Sequence, residues 1–568
     1  MHPADWLVFS GTLAYVVLYG VWRARGKKTV RSFVLAGRQV PWYAVGLSIM
    51  ATQASAITFI STTGQAYVDG MRFVQFYFGL PIAMLILCYT AVPLFRAANV
   101  YTAYEYLERR FDSRVRALVS AIFLLQRGLA LGVTLYAPAV VLTVILGWPD
   151  WFTTLLMGGI AVSYTTIGGA KAIAWSDLQQ MAVMALGLAA AFFSAVLLLP
   201  DHVSFTGAMD VAAAAGRLNV ITTNFDWNDR YNLWSGVIGG AFLALAYFGT
   251  DQSQVQRYLA GESVRQARQG LLLNAVAKIP MQLCILFIGV MVFVFYIFQQ
   301  PPLLFQRLEQ ARIETPALQE QYVPIKERYD TAFNARREAA DRLVANNAAA
   351  TPAVATQDDA GDAFRRAEQE LQGAKRDAAA LARSAGGSGA SDTNYIFLTF
   401  VTQQLPVGLV GLVLAVVFGA TMTAISAEMS ALATVSMVDI YKRHIAAARS
   451  DHHYLKASRW ATAFWGVYAI VCANFIKGIG SLVEAVNVLG SVFYGGMLGV
   501  FVLAFFFTRV TARGALYGVI IGQMVIFACW KYTTLAFLWY NVVGCAVVIA
   551  TAVLVSAIDR GGETSRER

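Results

Sequence analysis

Apolar stretches of about twenty residues recur along nearly the whole of this chain, each long enough to cross a hydrocarbon layer of roughly 30 Å. With 57% hydrophobic and only 14% charged residues, against the roughly 25% charge usual in soluble domains, a water-soluble core of this size is excluded. An all-α polytopic membrane protein of about thirteen transmembrane helices is expected, with no catalytic machinery. The spans read as 6–24, 44–69, 76–95, 117–146, 151–168, 174–199, 233–250, 271–298, 405–438, 459–476, 486–507, 515–532 and 537–557. No basic leader with a small-residue cleavage site precedes the first of them, so it reads as a retained helix.

The net charge of +10 does not point to nucleic acid, because the cations are dispersed among loops instead of forming one basic face. Alternate loops carry Arg23, Arg25, Lys27, Lys28 and Arg31, then Arg109 to Arg116, Lys171, Arg257 to Arg268, Lys442 to Arg459, Arg509 and Arg513, and finally Arg560 to Arg568. The intervening loops hold scattered cations such as Lys477 and Lys531. By the positive-inside rule the first set faces the cytoplasm of a cell inner membrane, with the N-terminus outside and the C-terminus inside. Cys88, Cys284, Cys472, Cys529 and Cys545 lie in apolar runs without metal-ligand spacing and read as packing residues. His2, His202, His444, His452 and His453 fall in termini or loops, and no nucleophile–base pair or phosphate-binding motif accompanies them.

Residues 301–393 break the apolar pattern. Two stretches rich in Ala, Glu, Gln and Arg, Leu303–Asn347 and Ala363–Arg383, flank Pro352, and a Gly- and Ser-rich run, Ser384–Ser391, follows. An extended helical hairpin on the outer face with a flexible return is expected. It is either a solvated, charge-balanced lobe or a docking site for an unknown partner. The expected divisions are an N-terminal helix and basic loop (1–43), a first five-helix repeat (44–199), an outer loop (200–232), the start of a second repeat (233–300), the charged insert (301–393), the rest of the second repeat (394–508) and two C-terminal helices with a short tail (509–568).

Two spans are unusually polar. Segment 44–69 carries Ser48, Thr52, Gln53, Ser55, Thr58, Ser61, Thr62, Thr63 and Gln65, and segment 405–438 carries Thr421, Thr423, Ser426, Glu428, Ser430, Thr434 and Ser436. One hydroxyl in a membrane helix is usually helix glue, but this density requires a protein or water-lined surface. Segment 233–250 is short and holds Gly236, Gly239, Gly240 and Gly249, the composition of a helix that opens in mid-membrane. Transporters with inverted repeats build their sites from two such discontinuous helices, so 44–69 and 233–250 are expected to be broken. Arg127, Asp177, Lys278 and Glu428 lie within or at the mouths of spans, where each charge costs about 2.5–3.5 kcal/mol on insertion scales. Such residues are functional candidates, or else structural partners of one another.

At several places the residues resemble the sodium/solute symporter family, which includes sodium/glucose, iodide, proline and sialic-acid cotransporters. The resemblance runs from about 5 to 558 outside the insert. It is carried by Thr52-Gln53-Ala54-Ser55-Ala56-Ile57-Thr58-Phe59, by Tyr104-Glu105-Tyr106-Leu107-Glu108-Arg109-Arg110-Phe111, by the block from Gly168 to Asp177, by Gln256-Arg257-Tyr258-Leu259 and by Val438-Asp439-Ile440-Tyr441-Lys442. It implies a LeuT-type 5+5 inverted repeat with an extra N-terminal helix, and a sodium ion as the coupling ion. It further implies a sodium site made by carbonyls of Ala51, Ala54 and Ala420 with the hydroxyl of Thr423. The family usually has two adjacent hydroxyl residues there, and here Ala424 follows Thr423; a water, Ser426 or Asp177 is the implied compensation. The solute site implied by the same alignment comprises Gln53, Ser55, Thr58, Tyr77, Tyr247, Lys278 and Asn487, and Arg127 matches an arginine that pairs with a substrate carboxylate in the sialic-acid branch. The expected function is sodium-coupled import of a small polar solute: a sugar, a polyol or a hydroxylated organic acid such as a sugar acid. The rivals are a membrane sensor or receptor with a symporter-like domain, and a symporter driven by a different ion; the roughly eleven polar residues after the last span leave no room for a signalling kinase.

Overall fold

The computed structural model describes residues 2–23, 34–348, 354–387, 392–475 and 481–566. Arg25, Lys27, Lys28, Arg31, Pro352, Lys477 and Arg568, and residues 388–391 of the expected flexible return, lie outside them. Among the described residues the chain is helical throughout, with one isolated bridge between Val40 and Gly261. We number the principal helices α1 Pro3–Arg23, α2 Trp42–Gln53, α3 Ala56–Asp69, α4 Leu80–Tyr89, α5 Ser113–Leu146, α6 Asp150–Leu197, α7 Gly240–Thr250, α8 Val264–Phe298, α9 Gln319–Ala348, α10 Val354–Ser384, α11 Leu409–Val435, α12 Asp451–Phe475, α13 Leu482–Phe506, α14 Ala512–Tyr532 and α15 Phe537–Arg566.

Among the described residues, eight helical runs are long and apolar enough to cross a membrane, and Trp151–Ser163 and Ser235–Thr250 are shorter apolar helices. Pro3–Arg23 and Asp451–Phe475, both expected as spans, stand outside these eight. The difference from the expected thirteen also comes from how spans are joined and broken. Segments 151–168 and 174–199 fall in the single helical run α6, 48 residues long, and segment 44–69 is divided between α2 and α3.

The division of 44–69 has a local cause. Ala54 (φ −100°, ψ 78°) and Ser55 (φ −94°, ψ 179°) leave the helical region, which frees backbone groups that lipid could not satisfy. Side chains take them over. Thr58 Oγ1 donates to the Gln53 carbonyl at 3.0 Å, and the Ala56 amide at the start of α3 donates to Thr421 Oγ1 of α11 at 3.1 Å. The hydroxyl density of the two polar spans is thus spent partly on stabilising a broken helix.

The second break falls elsewhere than expected. Ser235–Gly239 is a π-helical turn that runs on into α7, and the chain leaves the helical region only at Asp251 (φ −78°, ψ 119°) before Gln252–Leu259 resumes. The glycines of 233–250 serve close packing. A Cβ on Gly236 would lie 2.1 Å from the Gln75 carbonyl oxygen and one on Gly240 2.6 Å from that of Phe76, so this turn sits directly on the 3-10 segment Gly70–Tyr77.

The N-terminal helix is tied to α11 through Asp5, whose Oδ1 accepts from the Gly408 and Gly411 amides at 2.6 and 3.4 Å. These are donors at the start of a helix that would otherwise lack partners. The charged insert forms the expected hairpin of α9 and α10, closed by Tyr329, Phe333, Leu371, Ala378 and Leu381. It is docked onto the ends of α3 and α8: Tyr67 packs against Tyr296 and Phe305, and buried Arg336 bonds both Glu368 (2.7 Å) and the Tyr296 carbonyl (2.8 Å). Replacing Arg336 by Met is expected to cost about 3 kcal/mol by leaving Glu368 short of its partner. Hydrogen exchange within 319–384 should accelerate while exchange in α5 and α11 stays unchanged.

Candidate functional site

Because α2 stops at Gln53 and α3 starts at Ala56, the polar faces of the two half-helices open onto a cavity of about 970 Å³, its mouth included, between α5, α7, α8, α11 and α13. Gln53, Ser55, Thr58, Tyr77, Arg127, Tyr247, Lys278 and Asn487 all line it. So do Thr52, Thr134, Glu428 and Tyr494, with Phe76, Leu243 and Val483 among the apolar residues. A mostly apolar wall with a few convergent polar groups is the usual make-up of a small-molecule site.

Arg127 does not stand free in this cavity. Its Nη1 donates to Glu428 Oε1 at 3.0 Å, its Nη2 donates to Tyr494 Oη at 2.5 Å and also meets Asp251 Oδ2, and Tyr494 in turn donates to Asp251 at 3.0 Å. The guanidinium lies 5.5 Å from the centre of the Tyr247 ring, and Tyr247 accepts from Gln254 at 2.7 Å. Arginine, aspartate and glutamate are all buried. Arg127 thus lines the cavity as the centre of a buried triad with Asp251 and Glu428, with its Nε still without a partner among the described residues. Asp251, which closes it, sits one residue past the end of the expected span and was not among the sequence candidates; Tyr494 was not either.

Lys278 is the contrasting case. It is 1% exposed, lines the cavity, stands 5.4 Å from the centre of the Tyr77 ring, and has no ion-pair partner among the described residues. Gln53 Nε2 reaches Asn274 Oδ1 beside it on α8 at 3.1 Å. Lys278, Gln53, Ser55, Thr58 and Asn487 therefore converge on one space with hydrogen-bonding capacity for a small polar molecule.

The oxygen-rich cluster beside the cavity lies where α2, α6 and α11 meet. Asp177 is fully buried; its Oδ2 accepts from Ser48 Oγ at 2.5 Å and lies 3.8 Å from Arg257, and its Oδ1 has no hydrogen-bond partner. Thr423 Oγ1 stands beside this carboxylate, buried and without a hydrogen bond of normal geometry. A buried carboxylate with a threonine hydroxyl beside it is a pair of oxygen ligands that suits a hard cation. Ala51 and Ala54 lie at the break, where the Ala54 amide bonds the Ala51 carbonyl at 3.1 Å, and Ala420 is one turn before Thr423 on α11. Ser426 is turned elsewhere: Thr165 of α6 donates to its hydroxyl at 2.8 Å. Ala424 faces the cavity, and of the two residues expected to compensate for the missing hydroxyl, Asp177 is the one beside Thr423.

Comparison with known proteins identifies the family to which this fold belongs. The profile of the sodium:solute symporter family matches residues 33–324 and 373–522, leaving 325–372, most of the hairpin, outside. The sodium-coupled monocarboxylate transporter 1 of Homo sapiens is 32% identical over 288 residues, 50% of this chain and 47% of that protein. The sodium/iodide cotransporter of Homo sapiens is 32% identical over 326 residues, 56% and 48%, so the chain spans about half the length of these relatives. The sodium/glucose cotransporter of Vibrio parahaemolyticus is 26% identical over 535 residues, 91% of this chain and 83% of that one. A Na+-coupled sialic acid symporter, solved in a substrate-bound outward-open state, superposes with a TM-score of 0.74 over 98% of each chain at 22% identity, which is a likeness of fold. With its profile matched over most of the sequence, the chain belongs to the sodium:solute symporter family, a family of membrane transporters and not of enzymes.

Proposed function

We propose that the chain is a symporter that uses a sodium gradient to import a small polar solute across the inner membrane by alternating access. In this reading the breaks at Ala54–Ser55 and Asp251 mark the first helices of two inverted five-helix repeats. The observation that supports it most is the juxtaposition of the cavity with the buried oxygens of Asp177 on α6 and Thr423 on α11, α11 being the helix that also lines the cavity. Sodium held by those oxygens and by carbonyls of Ala51, Ala54 and Ala420 would bridge α2 to α11 and so favour one arrangement of the cavity, which is the condition for coupling. One sodium ion moving down about 100 mV gains about 2.3 kcal/mol and a tenfold gradient about 1.4 kcal/mol more, enough for a several-hundred-fold gradient of a neutral solute; a monoanion entering with one sodium ion cancels the electrical part and is concentrated about tenfold per ion.

Among the expected solutes, a hydroxylated monocarboxylate fits best: Lys278 offers a buried amine with no ion-pair partner among the described residues, which an incoming carboxylate would hold in its charged form, while Gln53, Ser55, Thr58 and Asn487 offer partners for hydroxyls. Similarity to the human monocarboxylate transporter is in keeping with an acid, and similarity to the Vibrio parahaemolyticus sodium/glucose cotransporter keeps a sugar as the second reading. The test is uptake into proteoliposomes from a labelled pool of sugars, polyols, sugar acids and monocarboxylates under an imposed sodium, potassium or proton gradient. Sodium-driven accumulation of an acid is the expected result; accumulation driven only by protons or potassium would assign a different ion, and none at all would favour a receptor. Lys278→Met is expected to raise the KM for that acid about 10- to 100-fold, the loss of a hydrogen bond to a charged group, with far less effect on any neutral substrate.

A further inference from the structure

At the face carrying Lys442, Arg443, Arg449, Lys456 and Arg459, α11 passes into a π-helical segment, Ser436–Ile445. Its wider turn leaves a groove against α12 of about 1440 Å³, open side included. The long part of the groove is apolar, with Leu124, Met437, Ile440, Trp460 and Phe464, and its floor is held by Trp465 donating to Ser436 at 2.9 Å. The short end is polar: Lys456 is exposed there, and Tyr441 and His453 share a 2.9 Å hydrogen bond with their rings stacked. No carboxylate is among the groove's described lining residues, and Lys456 has no ion-pair partner among the described residues, whereas neighbouring Arg443 is engaged by Glu108 at 2.6 Å. Trp460 and Phe464 are 69% and 61% exposed. On a membrane-spanning bundle such rings lie against lipid, and tryptophans beside a lysine mark the depth at which acyl chains give way to headgroups.

We propose that this groove is a binding site for an anionic phospholipid, its phosphate between Lys456 and the Tyr441–His453 pair and one acyl chain along Met437, Trp460 and Phe464. The site has a consequence for transport because the π segment prolongs the helix that carries Thr423 and Glu428. Asp439 in the same segment is held by Arg116 at 2.6 Å and by Thr102 at 2.8 Å, so a lipid on the opposite side clamps this end of α11 from without. Basic grooves between helices at the inner interface are suited to such headgroups.

The experiment is native mass spectrometry of the full chain after equilibration with equal parts of phosphatidylcholine and phosphatidylglycerol of different mass. Retention of phosphatidylglycerol is expected, falling about fivefold in Lys456→Gln, the worth of one cation near an anionic surface, and unchanged in Arg513→Gln, which removes an exposed cation elsewhere on the basic face. Inorganic phosphate at millimolar concentration is expected to leave the bound lipid in place. Equal retention of the two lipids, an equal fall in both variants, or displacement by free phosphate would each overturn the proposal: the first denies headgroup selection, the second makes it a general field effect, and the third makes it an anion site without a chain.

Discussion

Replacing Arg127 by alanine is expected to destabilise the protein by about 3–5 kcal/mol, because it leaves Asp251 and Glu428 buried and charged without their shared counter-ion. The geometry behind this is the 3.0 Å bond to Glu428, the direct contact with Asp251 and the Tyr494 hydroxyl that links arginine and aspartate. Thermal unfolding of the detergent-solubilised chain is the direct measurement, and Arg127→Ala should show a much lower midpoint than wild type. Neutralising the acids in the same background, Asp251→Asn with Glu428→Gln, should recover much of the loss, since the penalty is that of an orphaned charge and not of missing volume. A residue whose business was the solute alone would behave differently: the midpoint would hold and only KM would rise. The triple variant therefore separates a structural triad from a substrate clamp, and the coupling among the three positions should be strongly non-additive.

How much of this was legible in the sequence depends on whether a residue's role is set by its own segment or by something distant. Polar density in 44–69 pointed to an interior surface, because nine such hydrogen-bonding residues cannot face lipid, and Gln53, Ser55 and Thr58 fall at or beside the break and line the cavity. The resemblance placed Tyr77, Tyr247, Lys278 and Asn487, and they share its cavity. The partners of Arg127 were out of reach: Asp251 and Glu428 are 124 and 301 residues away in sequence, and a charge inside a span looks the same whether it awaits a solute or is already neutralised. Asp251 had a local signal, a carboxylate directly after a glycine-rich apolar segment, that was lost because the span was closed at residue 250. Glycine composition misled in the same segment. Gly236 and Gly240 look like points where a helix opens, yet what decides is the carbonyl of Gln75 or Phe76 facing them, and no single sequence states what stands opposite a glycine.

Asp177→Asn is expected to raise the sodium concentration for half-maximal uptake about 10- to 100-fold, on the scale of about 1.5–3 kcal/mol for a contact to a charged group, while uptake at saturating sodium is largely retained. The argument turns on where the missing oxygen of Ala424 is made good. Ser426 is near in sequence, but its hydroxyl is engaged by Thr165 of α6, so Ser426→Ala should shift half-maximal sodium by less than about threefold, within the range of an ordinary neutral hydrogen bond. Asp177 and Thr423 instead present buried oxygens side by side, with Asp177 Oδ1 and Thr423 Oγ1 both lacking a hydrogen bond of normal geometry. Thr423→Ala should therefore resemble Asp177→Asn, and the double variant should cost less than the sum of the two, as expected for neighbours acting on one ion. Full additivity would place the two oxygens on different ions; an effect confined to Ser426→Ala would move the site away from Asp177 altogether. The assignment thus depends on a difference in hydrogen-bond satisfaction, the one property that distinguishes a waiting ligand from a structural hydroxyl on the same helix.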